Sequence, residues 1–268
     1  MEKDLSIIIV NYNGKKYFEE CIQSIQNKIS SINYEIIVFD NNSNDDSIAY
    51  LNNRFPEIIT IKSEKNLGFG LGNNEAIKHA KADTILLLNN DTIILDDFSE
   101  LINFVKSNPK AGAIGINMLD KNKSYLIPGG KFPNINSCFK IKNGAYSGDF
   151  QTGNFTNPYY KVDWIGGSFM LMRKEIFENV NGFDKDYFMY VEDVDLCKKI
   201  TEKGYQNYFF SQYAYIHFVG FNPKKNPLLI KGYRTYLSKH THGLNYVLCS
   251  IALTINSLVK NIKLIISK

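Results

Sequence analysis

The sequence predicts an α/β protein with a mostly parallel central sheet and an amphipathic helical tail at its C-terminus. Two observations predict the sheet. Short β-branched apolar runs alternate with helix-patterned segments over the first 118 residues, the arrangement that produces βαβ units. Polar residues gather where each apolar run stops, and ligands of open α/β sheets bind outside those carboxyl ends. A third observation predicts the tail. Leu244, Leu248, Ile251, Ile255, Leu258, Ile262 and Ile265 recur at spacings of 4, 3, 4, 3, 4 and 3, which is one stripe of a helix.

Residues 5–10 (LSIIIV) are a continuous apolar run of the kind buried on both faces. Asn11-Tyr12-Asn13-Gly14 closes it with turn chemistry. Over 15–29, Phe18, Ile22, Ile25 and Ile29 share one helical face. A second strand over 34–39 ends in Asp40-Asn41-Asn42-Ser43. A helix over 47–54, a strand over 58–61, a helix over 72–80 and a fourth strand over 84–88 follow, the last ending in Asn89-Asn90-Asp91. A helix over 98–106 and a fifth strand over 113–118 complete the alternation. Residues 119–160, rich in Gly, Asn, Pro and Tyr, break the rhythm and read only as a long insertion or short hairpins. Regularity returns with a strand over 168–172, helices over 175–180 and 191–203, and strands over 207–210 and 213–218.

A chain of 268 residues, 44% apolar, suits one large domain or one domain with an appendage. Its net charge of +4 hides an asymmetry. Up to Glu202, the last acid, there are 22 basic and 27 acidic side chains; beyond it there are nine basic and none acidic. Such a segment suits an anionic partner, with a solvated basic face as the plain alternative. The stretch 240–259 has the length of a membrane span, but Asn245, Ser250, Thr254 and Asn256 interrupt it. Lying in the membrane interface suits it better, and a packed domain helix or a coiled-coil partner is the alternative. The four cysteines are scattered without a CxxC pair. That argues against a disulfide framework or zinc site and fits a reducing compartment. The first strand begins within a few residues of Met1, so no signal peptide is expected.

The chemistry-bearing residues lie at strand ends and one helix start. Asp40 and Asp91 each follow a buried strand; Asp40 begins a turn and reads by itself as a helix N-cap or Asx-turn, while Asp91, beside two amides, suits oxygen ligation of a divalent cation. Glu192-Asp193-Val194-Asp195 opens a helix. The helix dipole alone favours acids there; a general base with a neighbour to orient it is the functional reading. Tyr187, Phe188 and Tyr190 supply an apolar setting that raises a carboxylate pKa. His217, in an apolar run, is either a satisfied core residue or a metal ligand. Gly68-Phe69-Gly70-Leu71-Gly72 suits a phosphate at a helix start. It follows the third strand and lacks the GxGxxG spacing, which argues against a dinucleotide-binding dehydrogenase.

Taken in order, SIIIVNYNG, FDNNSNDDS, NLGFGLGNNEAI, LLLNNDT, WIGGSFMLMRKEIF, NGFDKDYFMYVEDVDLCKKITEKGY and YIHFVG resemble glycosyltransferase family 2, which has the GT-A fold. The likeness runs over about residues 4–220 and is nearest to bacterial rhamnosyltransferase-like members that build surface polysaccharides.

The resemblance implies a role for each position. Asn11 and Asn13 line the nucleotide pocket, Asp40 binds the base with Asn42 nearby, and Asn66, Gly68 and Asn73 contact nucleotide or sugar. Asn89-Asn90-Asp91 stands where the family has DxD. Asp91 holds Mg²⁺ or Mn²⁺ against the diphosphate, and His217 completes the metal shell. Asn89 replaces the first acid, which weakens the case for strict metal dependence. Trp164, Gly166 and Gly167 shape the acceptor side, and Asp193 is the catalytic base with Glu192 beside it. The implied reaction is an inverting displacement from a nucleotide-diphosphate sugar, with dTDP-rhamnose the leaning and UDP-hexoses open.

The implied acceptor is lipid-linked or a polysaccharide. Residues 1–222 are expected to form the catalytic domain and 223–268 a basic helical tail on an anionic membrane surface. That puts the protein in the cytoplasm, peripheral on the inner face of the cell membrane. No nucleic-acid partner is expected, since the tail carries no recognised module; a homo-oligomer stays open. The rival readings are a non-catalytic partner subunit of the same fold and a basic nucleic-acid-binding protein.

Overall fold

The computed structural model describes residues 2–144, 146, 148–218 and 226–266. The alternation read from the sequence is present. β1 (Leu5–Asn11), α1 (Lys15–Lys28), β2 (Tyr34–Asp40), α2 (Ser47–Arg54), β3 (Ile59–Lys62), α3 (Phe69–Ile77) and β4 (Thr84–Asn89) form the first half. β5 (Thr92–Ile94), α4 (Glu100–Ser107) and β6 (Ala111–Leu119) follow. The insertion contains β7 (Tyr125–Leu126), β8 (Gly129–Gly130), α5 (Ile135–Phe139), α6 (Asp149–Thr152) and β9 (Tyr159–Val162). β10 (Trp164–Ile165), β11 (Phe169–Arg173), α7 (Lys174–Asn179), α8 (Glu192–Glu202) and β12 (Gln206–His217) complete the sheet-bearing part. Two helices, α9 (Asn226–His240) and α10 (Gly243–Ile266), end the chain.

The main sheet runs β3-β2-β1-β4-β11-β6-β12-β5. It is mixed, which corrects the mostly parallel sheet that the alternation predicts. β3, β2, β1 and β4 are parallel because a helix crosses over between successive strands. β11 arrives after the insertion and slots antiparallel between β4 and β6. β12 is parallel to β6 but antiparallel to β5 and β9. The two strands expected over 207–218 are one strand whose register with β6 slips between Phe210 and Ala214. β5, only three residues long, gave no periodic signal.

Register brings the polar strand ends together. Asn11 pairs with Asp40, Val10 with Asn89, Leu88 with Phe169, and Thr92 with His217. The sheet is covered on both faces. Phe18, Ile22, Leu101 and Phe169 belong to one buried cluster; Ile77, Met170, Leu196 and Phe209 belong to the other. Asn207 is a fully buried polar tie within this core. Its Oδ1 accepts from Ala113 N at 3.0 Å, and its Nδ2 donates to Asp163 O at 2.8 Å and Cys197 O at 3.2 Å.

A third cluster joins the C-terminal helices to the rest: Tyr187, Val191 and Val194 pack with Tyr233, Tyr236 and Leu253. On α10, Cys249, Ala252, Leu253 and Asn256 are buried, and Asn256 Nδ2 donates to Cys138 O at 2.9 Å. The predicted stripe is a different face. Leu244 is 74% exposed and Leu258 57%, with Leu248, Ile251 and Ile255 exposed between them. The side chains of Ile262, Lys263 and Ile265 lie outside the described residues, as does the expected boundary at 222/223.

Asn207→Ala should strand a buried N–H and two buried carbonyls. We expect a loss of about 3 kcal/mol, a fall in Tm of about 6–12 °C. Thermal denaturation checks it, and a fall under about 2 °C would mean the tie is redundant.

Candidate active site

The carboxyl edge of β1 is organised by Asn11, which is fully buried. Its Nδ2 donates to Asp40 Oδ1 at 2.8 Å and Ser43 Oγ at 3.0 Å. Its Oδ1 accepts from Gly14 N at 3.1 Å and Asn90 Nδ2 at 2.7 Å. Asp40 is equally buried; its Oδ2 accepts from Ser43 N at 3.0 Å. Asn13 and Asn42 sit at φ of 54° and 64°, a left-handed conformation that Asn tolerates better than most residues. Asn13 Oδ1 accepts from Asn44 N at 2.8 Å.

The next loop is tied to this one by Asn41, a residue the sequence reading passed over. Its Nδ2 donates to Gly68 O at 2.8 Å and its Oδ1 accepts from Leu67 N at 3.0 Å. Asn66 Oδ1 accepts from Gly68 N at 2.9 Å, and Asn73 Nδ2 donates to Phe69 O at 2.9 Å. Gly68 has φ of 83°, and a Cβ there would lie 2.2 Å from Phe188 O. No other residue fits both constraints.

Asn89, Asp91 and His217 converge at the far side of β4. His217 Nε2 lies 3.2 Å from Asp91 Oδ1 and 3.2 Å from Asn89 Nδ2. One ring nitrogen cannot donate to the carboxylate and accept from the amide at once. A divalent cation would resolve the conflict, since a carboxylate oxygen and an imidazole lone pair are both donors it could take. Among the described residues, no third His, Cys, Asp or Glu joins the two.

The acid pair opens α8. Asp193 Oδ2 accepts from Gly167 N at 3.1 Å and Oδ1 from Val194 N at 2.8 Å. The adjoining Ser168 O accepts from Asn89 N at 3.1 Å. One dipeptide, Gly167-Ser168, therefore separates the base candidate from the cation candidate. A Cβ on Gly167 would lie 2.9 Å from Phe69 Cε1, so a larger residue would push against the phosphate-side helix. Gly166 N donates to Pro128 O at 2.8 Å. Trp164 pairs with Gly130 in the small β8–β10 sheet, and its indole N–H donates to Lys131 O at 2.9 Å.

Burial, then the charge of Asp193, pushes the Glu192 carboxyl up to about 8. Burial also raises Asp193, against the two backbone N–H groups that favour its anion. Glu192 is thus the member of the pair biased toward its protonated form, and Asp193 is the one whose anion is hydrogen-bonded. A base poised nearer neutrality accepts a proton more effectively than an ordinary carboxylate.

Sequence reasoning assigned no site role to Asp195, the third acid, which is almost fully buried. It accepts from Tyr187 OH at 3.1 Å, meets His240 Nε2 at 2.7 Å and has Lys199 Nζ at 3.6 Å. Its place on α8 was the available signal: it lies three residues after Glu192 and four before Lys199, on a helix face turned away from that of Asp193, Leu196 and Ile200.

The profile of the family described as Glycosyl transferase family 2 matches residues 6–180, and that of the N-terminal domain of galactosyltransferase matches residues 150–220. The chain is 31% identical over 236 residues to the rhamnosyltransferase WbbL of Escherichia coli K12, across 79% of this chain and 82% of the relative. It is 24% identical over 247 residues to the N-acetylglucosaminyl-diphospho-decaprenol L-rhamnosyltransferase of Mycobacterium tuberculosis, across 83% of this chain and 78% of the relative. The crystal structure of GalNAc-T7 with UDP, GalNAc and Mn²⁺ superposes with a TM-score of 0.67 at 13% identity over 88% of this chain, which spans 48% of that one. That likeness is one of fold.

The raised Glu192 pKa makes a stability prediction. Between its ordinary value of 4.5 and about 8, the folded protein holds a proton that the unfolded chain has lost. This contribution is fully present below pH 4.5 and disappears as pH rises through about 8, at up to about 1.4 kcal/mol per pH unit. Glu192→Gln mimics the protonated form, so its stability should fall less steeply over that range. Urea denaturation at pH 5, 6.5 and 8 reads this; parallel curves for the two proteins would contradict it.

Proposed function

The chain belongs to glycosyltransferase family 2 and is a glycosyltransferase with the GT-A fold, and from that premise we propose an inverting transfer with Asp193 as the base. The observation that carries this reading is the Gly167-Ser168 bridge. It puts a carboxylate of raised pKa one dipeptide away from a carboxylate–imidazole pair suited to a cation. Asp193 accepts the proton of an acceptor hydroxyl as that oxygen bonds to the anomeric carbon. The bond from that carbon to the diphosphate oxygen breaks, and its electron pair leaves with the nucleoside diphosphate. Asp91 and His217 would hold Mg²⁺ or Mn²⁺, which neutralises the leaving diphosphate when bound. Asn89 contributes hydrogen bonding there without charge. Asn13, Asn42 and Asn66, on loops fixed by Asn11, Asp40 and Asn41, border the nucleotide; Gly68 and Asn73 shape its phosphate side. Trp164 and Gly166 border the acceptor.

The donor we favour is dTDP-rhamnose, supported by the two rhamnosyltransferase relatives. The acceptor we favour is lipid-linked, like the diphospho-decaprenol for which the mycobacterial relative is named, in the building of a surface polysaccharide. A lipid-linked acceptor gives α10 a use. Gly243–Lys260 is apolar and long enough to cross a membrane, by length and composition alone. Its outward stripe is exposed apolar surface on an acid-free, basic segment. Docking on anionic lipid at the inner face of the cell membrane would cover that stripe, with each basic residue near the surface adding ~1 kcal/mol. In this reading, the part after about residue 223 is the membrane-facing part of the molecule.

A thermal-shift screen with dTDP, UDP, GDP and CDP, with and without Mn²⁺, tests the donor site. A nucleotide at 100 times its Kd should add roughly 2.7 kcal/mol. We expect Asp91→Ala to abolish the increment due to Mn²⁺. Asp193→Asn should bind as before but lose roughly 10²–10⁴-fold in transfer. Full transfer by Asp193→Asn would remove it as the base. For α10, Ile251→Asp with Leu258→Asp should stop flotation with vesicles containing anionic lipid. Undiminished flotation, or a self-associated protein that the same changes dissociate, would overturn the membrane assignment.

A further inference from the structure

Residues 184–195 carry the acid pair, and their backbone is strained. Tyr190 and Val191, next to Glu192, have φ of 72° and 74°. Two consecutive non-glycine residues in the left-handed region are costly, and a β-branched valine there is an outlier. Such a conformation persists only where its surroundings hold it.

Several of the contacts that hold it come from α9. Gly232 lies against the strained pair, so closely that a Cβ there would be 2.4 Å from Tyr190 O and 2.9 Å from Val191 Cγ2. Lys239 Nζ reaches Asp184 at 2.9 Å and Asp186 at 2.7 Å. His240 Nε2 meets Asp195 Oδ1 at 2.7 Å, where Tyr187 OH also donates at 3.1 Å. The segment is thus held at its start, at its strained middle and one residue beyond Val194. On its other side, Phe188 O accepts from Phe69 N at 3.2 Å. Glu192 and Asp193 lie between these anchors.

We propose that α9 is part of the catalytic machinery, with Gly232, Lys239 and His240 as positioning residues that fix Asp193 against the acceptor. The inference rests on the reading of Asp193 as the base. It assigns to the start of the basic C-terminal segment a role distinct from lipid binding. Displacement of a base by about 1 Å can cost on the order of 10²-fold. Loosening α9 therefore acts first on the chemical step, while the donor loops keep the hydrogen bonds of Asn11 and Asn41 that fix them and meet the braced segment through Gly68 and Phe69, at Phe188.

The test uses the full chain with nucleotide sugar and acceptor. His240→Leu should lower kcat by at least about ten-fold and leave KM for the donor within about two-fold. His240→Gln, whose amide can still donate to Asp195, should restore most of kcat. His240→Leu leaves a buried carboxylate without that partner, so Lys239→Met, at a less buried site, is the second variant. It should lower kcat in the same selective way. Amide exchange over residues 184–195 should quicken in both damaged variants, while the response of Tm to nucleotide stays unchanged. Quickened exchange with full kcat would overturn the positioning role, and so would a loss of kcat that Gln does not restore. An unaltered protein that binds nucleotide but transfers no sugar would instead overturn the proposed function. Amide exchange would then judge the clamp alone, and unchanged exchange in both variants would refute it.

Discussion

The carboxyl edge of the sheet can be polar and buried only because Asn11 is saturated. A carboxamide has two N–H donors and an oxygen with two lone pairs, and all four are used, by Asp40, Ser43, Gly14 and Asn90. An unpaired group in that position would cost about 1–3 kcal/mol. The strand register makes the saturation possible by setting Asn11 beside Asp40 and Val10 beside Asn89. Asn11 therefore acts on three loops at once and has no polar capacity left for a ligand. Those loops are fixed by the protein's own hydrogen bonds, so a ligand that bound there would not have to order them.

The departure from a parallel sheet has a similar consequence. A fifth parallel strand beside β4 would deliver another loop to the nucleotide edge. β11 runs the other way, so its start lies against the end of β4. There Ser168 O takes the N–H of Asn89 and Gly167 N–H takes the Asp193 carboxylate. The antiparallel strand is thus what brings a helix-borne acid from late in the chain to the side of the sheet that carries Asp91 and His217. Close packing of Gly167 on Phe69 sets how near it comes.

These relations differ in how far the sequence discloses them. β1, β2, β4 and β6 were legible because buried strands are long apolar runs bounded by Asn, Asp and Gly. The candidate site residues at their ends stood out as an ordered set of short motifs, and the strand register brings several of them together. Strand direction was not, because an apolar run such as FMLMR carries no mark of whether its neighbours are parallel. β5 was too short for any period. Asn41 and Asp195 were visible as residues but not as ties, since their partners Gly68 and His240 are 27 and 45 positions away. Periodicity found the apolar stripe of α10 correctly. It could not tell which face meets protein, because Cys249, Ala252 and Leu253 are also apolar.

That ambiguity is itself informative. A helix packed on a domain normally turns its widest apolar face inward. α10 instead buries its small residues, Cys249 and Ala252, with Leu253 and leaves its bulkier stripe outside. Small residues allow close approach to α5 and the hydrogen bond from Asn256 to Cys138 O, so the inner face is used for fit. The charges divide the same way: −5 up to Glu202 and +9 beyond it. Tyr233 and Tyr236 of α9 share one buried cluster with Val191 and Val194 on one side and Leu253 on the other. The helix that braces the acid pair is thus the one on which α10 rests. A force applied to α10 is therefore one packed layer from the segment that carries Glu192 and Asp193.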